Sequence, residues 1–200
     1  MIWNFHRPSL LCEDMVDQHP GSAIARSPAP DYQITLARPK DVPLLPAIEL
    51  AAGRLYAGHA PEEALTETMS AEAHADAQRL GHLWVALLND APVAFAHVRV
   101  IEATAAHLEE LDVHPEHGRR GLGTRLVMTV CAWAAARGFQ SVTLTTFRDI
   151  AWNMPFYARL GFEVIPPGEL RPALVSLVED EARRSRVSLI RVAMQRPCIG

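Results

Sequence analysis

Apolar and polar positions along the chain change period several times, and each change marks an element. Ile34 and Leu36 alternate with Gln33, Thr35 and Ala37, which predicts a first strand beginning at Tyr32. Asp41 is placed to cap a helix through Leu44, Leu45, Ile48 and Leu50, and a second helix is predicted from about Pro61 to Arg79. His82–Leu88 and Pro92–Ile101 read as a hairpin turning at Asn89-Asp90, and a third strand runs from Ala106 to Val113. From Thr124 to Arg137 the period becomes helical. Leu126, Val127, Val130, Cys131 and Ala134 form one buried stripe there, ended by Gly138. Val142 and Leu144 then alternate with Thr143 and Thr145 as a strand. A short helix, Trp152–Leu160, is closed by Gly161 and followed by a short strand, Phe162–Ile165. Leu170–Arg184 reads as a last helix and Val187–Met194 as a last strand. The order is mixed α/β around one sheet. Residues 1–30, with Pro8, Pro20, Gly21, Pro28 and Pro30 and no period, read as a flexible extension before a domain spanning 31–200.

Composition narrows the class. Two hundred residues with 49% hydrophobic content suffice for one domain with a real core. A formal net charge of −4 disfavours nucleic acid as a partner and suits a cationic small molecule. No apolar run approaches membrane-spanning length, and the N-terminus does not read as a signal peptide, so no membrane partner is expected. Cys12, Cys131 and Cys198 are odd in number and far apart, compatible with a reducing cytoplasm. Lys40 is the only lysine, which makes a catalytic-lysine scheme unattractive.

The segment that carries chemistry is HGRRGLGTRL, His117–Leu126, between the third strand and the long helix. Gly121 and Gly123 permit a sharp turn and a close backbone approach to a ligand. The loop's N–H groups and the positive end of the helix dipole point the same way, with Arg119 and Arg120 alongside, as a phosphate cradle requires. Thr124 and Arg125 stand where a P-loop needs Lys and Ser/Thr, and Leu126 where a dinucleotide fingerprint needs its third glycine. Both of those cradles are excluded. His114 and His117 flank the loop without a metal-ligand spacing, so no metal is expected.

What remains resembles motif A of the GNAT superfamily of acyl-CoA-dependent N-acyltransferases, with Val113, Pro115, Gly121 and Gly123 in register. Gly118 takes the usual Gln/Arg position, where the backbone amide is expected to act. Tyr157-x-x-x-Gly161-Phe162 is similar to motif B, and the Trp152-Asn153-x-Pro155-Phe156-Tyr157 string resembles one bacterial branch. The resemblance implies an α/β (α+β) GNAT fold: a central mixed, mostly antiparallel sheet of six to seven strands, flanked by helices and splayed at the CoA site. It implies an acetyl-CoA-dependent N-acetyltransferase, transferring directly to an amine acceptor in a ternary complex, with acetyl-CoA as co-substrate and a homodimer compatible. A CoA-binding sensor without turnover is the rival reading.

By the same resemblance, Leu111 and Val113 pair with the pantetheine amides, while Gly118, Arg119, Arg120, Gly121, Leu122, Gly123 and Thr124 hold the pyrophosphate. Tyr157 donates a proton to the departing thiolate. The usual motif-B asparagine position holds Ile150. Asn153, one helical turn nearer Tyr157, can bond the pantetheine arm or cap its helix. Strand alternation puts His107 and Glu109 on one face and Leu108, Glu110 and Asp112 on the other. The resemblance implies a base four or six residues before Val113, at Glu109 or His107, and Glu109 is the expected one. Glu110 comes next because a bulge in this strand would disturb the parity, and His107 is a further candidate. Glu49, Glu62 and Glu63 are helix-surface carboxylates able to attract a cationic amine.

Overall fold

The computed structural model describes residues 31–60, 65–184 and 190–198. The predicted N-terminal extension, Glu62, Glu63 and the start of the predicted last strand lie outside them. Seven strands form one sheet in the order β1-β2-β3-β4-β5-β7-β6. They are β1 (Gln33–Leu36), β2 (Leu83–Leu88), β3 (Ala91–Glu102), β4 (Ala105–Val113), β5 (Ser141–Phe147), β6 (Glu163–Val164) and β7 (Arg191–Pro197). Five helices accompany them: α1 (Leu45–Gly53), α2 (Ala71–Leu80), α3 (Leu122–Ala136), α4 (Asn153–Arg159) and α5 (Pro172–Arg184). Every strand pairing is antiparallel except β4 with β5. The mixed, mostly antiparallel sheet expected from the sequence is what forms. Among the described residues no helix is long and apolar enough to cross a membrane.

Alternation along β2 places the two faces of the sheet. Trp84 and Ala86 pack with the α3 stripe Leu126, Val127, Val130, Cys131 and Ala134, all buried. Leu83, Val85 and Leu87 pack on the other face with Leu45 and Ile48 of α1, Ala77 of α2 and Phe95. Truncating one of these, such as Leu126 to Ala, costs about 2–5 kcal/mol because the close-packed layer closes only partly over the gap. The hairpin turn follows its sequence: Asn89 and Asp90 take φ of 49° and 66°, the left-handed pair that a two-residue loop between twisted strands needs.

Local detail departs from the sequence reading in three places. Asp41 does not cap a helix with its side chain. Its carboxylate instead accepts the Arg38 backbone N–H at 2.8 Å and the Arg38 guanidinium at 2.8 and 2.9 Å, and a 3-10 turn, Val42–Leu44, leads into α1. The second helix begins at Ala71 rather than near Pro61. Ser70 caps it by accepting the Ala73 N–H at 3.1 Å, while Glu49 of α1 holds the Met69 N–H at 2.9 Å and keeps the preceding chain out of the helix. Finally, α3 starts at Leu122, so Gly123 and Thr124 belong to its first turn rather than to the loop.

Candidate active site

The sheet comes apart where the chemistry is. β4 and β5 pair only from Ala105↔Ser141 to Leu108↔Leu144, whereas β5 stays bonded to β7 as far as Phe147↔Arg191. Beyond Leu108 the two parallel strands diverge, and the β5-facing edge of β4 from Glu109 to Val113 lies open in the gap. A cleft of about 570 Å³ fills it, floored by Leu111 and Val113 and walled by the glycine loop from His117 to Thr124 and by Asn153, Phe156 and Tyr157 of α4. This is the splay the resemblance implied, and it brings the two motifs to one cavity.

The loop is shaped by two left-handed residues, Arg119 at φ 57° and Gly121 at φ 76°. Gly121 is the N-cap of α3, whose first helical bond runs from the Arg125 N–H to the Gly121 carbonyl at 3.0 Å. The amides of Leu122, Gly123 and Thr124 therefore have no helical partner and open toward the cleft. Gly118 differs from expectation: its N–H is already bonded to the Pro115 carbonyl at 3.0 Å, so it has no amide left to offer a phosphate. A Cβ there would also stand 3.1 Å from that carbonyl oxygen, a tight approach. Gly123 is constrained by tertiary packing, since a Cβ would lie 3.3 Å from Phe156 Cζ. Arg119 and Arg120 are exposed at the rim. Arg125 is turned away, donating to the Tyr32 carbonyl at 2.8 Å.

A bulge in β4 decides which acids face the cleft. His97 pairs with Glu110 and Val98 with Leu108, so Glu109 is the extra residue. Ala106 and Leu108 point to the α3 side before the bulge, and Leu111 and Val113 do so after it. Strict alternation from Leu108 through Glu110 and Asp112 is broken, and those two acids turn to the face of α1 and α2. There a second cavity of about 580 Å³ is lined by Glu49, Glu109, Glu110, Asp112 and Arg191. It meets the first cleft at Tyr56, Glu109, Glu110, Asp112, Phe147 and Arg191, which line both.

The predicted acids fare differently. His107 is fully buried, its Nδ1 2.9 Å from Thr143 Oγ1, and burial with Arg99 nearby pushes it down to about 3. It sits within β4 beside Thr143, lines neither cavity and is removed as a base. Glu109 borders both cavities and is ion-paired to Arg99 at 3.1 Å. Glu110 has its carboxyl pushed up to about 8, first by burial and then by the charges of Glu49 and Glu109; Arg191 and the Leu111 N–H offset this only in part. Asp112 is also held well above the usual carboxylate range, by burial and by Glu110 and Glu49.

Tyr157 packs edge-on against Phe156 and Phe162, and burial raises its phenol above the ordinary range. Asn153 does not cap α4, whose N-cap is Trp152. It is buried beside Tyr56, its amide nitrogen 3.3 Å and its oxygen 3.4 Å from the Tyr56 hydroxyl. Sequence reasoning missed Tyr56, Asp112 and Arg191. The first and last carry no motif, and Asp112 was assigned to the wrong face by unbroken alternation.

The open mixed sheet, its parted central strands and a glycine turn feeding a helix define the fold class of acyl-CoA-dependent acyltransferases. A profile of the acetyltransferase (GNAT) family matches residues 50–162, and the chain belongs to that family. Solved structures agree on the fold. One is the PaiA N-acetyltransferase of Thermoplasma acidophilum in complex with coenzyme A, at 17% identity and TM-score 0.65, covering 84% of this chain and 99% of that one. N-acetylglutamate synthase from Neisseria gonorrhoeae, complexed with coenzyme A and N-acetyl-glutamate, matches at 16% identity and TM-score 0.66, over 85% of this chain and 36% of that one. The yncA protein from Salmonella typhimurium, with its cofactor acetyl-CoA, matches at 18% identity and TM-score 0.61, over 85% and 95% of the two chains. Among curated proteins, a labda-7,13-dienyl diphosphate synthase of Streptomyces clavuligerus is 33% identical over 93 residues, 46% of this chain and only 14% of that protein's length.

Proposed function

We propose that the chain moves an acetyl group directly from acetyl-CoA to an amine in a ternary complex, with Glu110 as base and Tyr157 as acid. The observation that carries this reading is the position of Glu110 where the donor cleft meets the acidic cavity, its carboxyl held above the ordinary range by burial and by Glu49. The gap between β4 and β5 fits the donor: the open edge at Leu111 and Val113 suits the pantetheine amides, and the amides from Arg119 to Thr124 suit the diphosphate. Asn153, with Tyr56, lies on the wall facing the same arm.

An alkylammonium titrates near ~10.4 and must lose a proton before it can attack. A carboxylate basic enough to take that proton, yet ionised at working pH, has its pKa near that pH, which Glu110 meets and an ordinary exposed glutamate does not. Glu109 is engaged by Arg99 and is the weaker candidate. The nitrogen then bonds to the thioester carbon and the C–S bond breaks. Tyr157, kept protonated by burial, gives its proton to the sulfur. The second proton lost by nitrogen as the amide forms restores the phenol through solvent. On the acceptor side, Glu49, Glu67, Glu109 and Glu181 outnumber Arg99 and Arg191, a field that draws in a cationic amine.

The test is free-thiol release from acetyl-CoA across a panel of amines, with calorimetry for the donor alone. Donor binding with no release from any amine would overturn transfer; no donor binding would overturn the whole reading. For Tyr157→Phe, kcat should fall about a hundredfold. The affinity for acetyl-CoA should stay within about threefold, because the hydroxyl acts only once the C–S bond weakens. An equal loss in both quantities would make Tyr157 a packing residue.

A further inference from the structure

The 3-10 turn Pro115–His117, between β4 and the donor loop, gathers three side chains that the transfer chemistry does not use. Such a turn advances three residues per revolution, so His114 and His117 come to the same side with Glu116 beside them. The sequence spacing alone did not reveal this. One potential ligand atom from each of His114, Glu116 and His117 lies within 4.8 Å of the other two, and the imidazole centroids are 5.9 Å apart. Ligand atoms held tetrahedrally on Zn²⁺ at about 2.1 Å stand about 3.4 Å from one another. Rotation of the exposed Glu116 side chain is the adjustment that can narrow that difference.

A further observation comes from outside the cluster. The hydroxyl of buried Tyr32 is 2.9 Å from His117 Nδ1, and the Tyr32 carbonyl is itself held by Arg125 of α3. A ring whose one nitrogen is fixed by a rigid partner presents the other in a set direction, which is how metal-ligating histidines are oriented.

We propose that His114, Glu116 and His117 bind a divalent transition-metal ion of the zinc type, and that the bound ion tightens the grip of the neighbouring loop on the donor phosphates. Two imidazoles and one carboxylate suit zinc rather than the all-oxygen preference of Mg²⁺ or Ca²⁺. Three protein ligands leave a coordination position open. His117 lines the donor cleft, so the ion's charge would add to that of Arg119 and Arg120 at its rim. The site itself stands apart from the transferase reading; the coupling to the donor rests on it.

The test begins with the full chain stripped by a chelator and titrated with ZnCl₂, followed by calorimetry and by ¹H–¹⁵N spectra. One saturable site is expected, with shifts centred on residues 114–118 and Tyr32. Glu116→Gln and His117→Gln should each weaken zinc at least tenfold, with melting temperatures in the metal-free state close to the parent's. His82→Gln should bind as the parent does, because that ring packs on Trp133 well away from the turn. No saturable zinc binding, unchanged binding in the His114→Ala/His117→Gln double variant, or tighter binding of Mg²⁺ than Zn²⁺ would each overturn the site. With zinc bound, the Kd for acetyl-CoA should fall at least threefold. An unchanged or raised Kd overturns the coupling and leaves the site. Failure to bind acetyl-CoA with or without zinc overturns the donor reading instead.

Discussion

Replacing Glu110 by Gln should lower kcat with a primary amine by about a hundredfold to a thousandfold, the range expected when a positioned base is lost. In the parent, kcat should rise with pH through about 8 as the carboxyl gives up its proton. The variant should lose that inflection. The same substitution should raise stability at alkaline pH. In the unfolded chain Glu110 titrates near its ordinary value of 4.5, whereas in the fold it holds its proton up to about 8. Between those two values the folded state binds more protons than the unfolded one, so stability falls as pH rises through that window. Glutamine has no proton to lose and escapes the penalty. Thermal melts should therefore show Glu110→Gln gaining on the parent between pH 5 and pH 9, with Asp112 and the buried histidines leaving both proteins a common dependence. A parent with no inflection near 8 and a Gln variant of full activity would move the base to Glu109.

Gly123→Val should abolish useful donor binding, raising the Kd for acetyl-CoA by about a hundredfold or more. A Cβ at this position already stands 3.3 Å from Phe156 Cζ, and α4 carries Tyr157 and Asn153 on the same wall. Two further methyls have nowhere to go but into Phe156 or the space the phosphates would occupy, and overpacking of this kind costs about 1–3 kcal/mol before any ligand contact is lost. Gly123→Ala should fall between parent and Val, since the aromatic ring can shift by a few tenths of an ångström. Calorimetry reads both. A Val variant that binds acetyl-CoA normally would remove Gly123 from the donor site.

The fold was legible because its signals are local and periodic. The α3 stripe and the Asn89-Asp90 turn each follow from spacing alone. The glycine loop before α3 was legible for the same reason, a glycine pattern between strand and helix. Its details were not. Gly118 spends its amide on Pro115, and Gly123 is small because Phe156, far along the chain, packs against it. The start of α2 was misplaced because a distant carboxylate, Glu49, captures the Met69 amide, a tertiary bond that no window of sequence contains. The acids were the hardest. A single extra residue at Glu109 reverses the parity of everything after it, so alternation assigned Glu110 and Asp112 to the wrong face. His107, a candidate by the resemblance, is buried beside Thr143 on the next strand.

The shortness of the β4–β5 seam has a mechanical consequence. The leaf β1–β4 and the leaf β5–β7 are stitched to each other by only four residue pairs, from Ala105↔Ser141 to Leu108↔Leu144. So short a seam is a natural flexure, and any molecule wedged beyond it and bonded to the Leu111 edge would brace the two leaves together. Loading with acetyl-CoA should then slow amide exchange in Thr145–Phe147 and Arg191 as well as in β4. The enzyme's rigidity would follow the supply of its acyl donor.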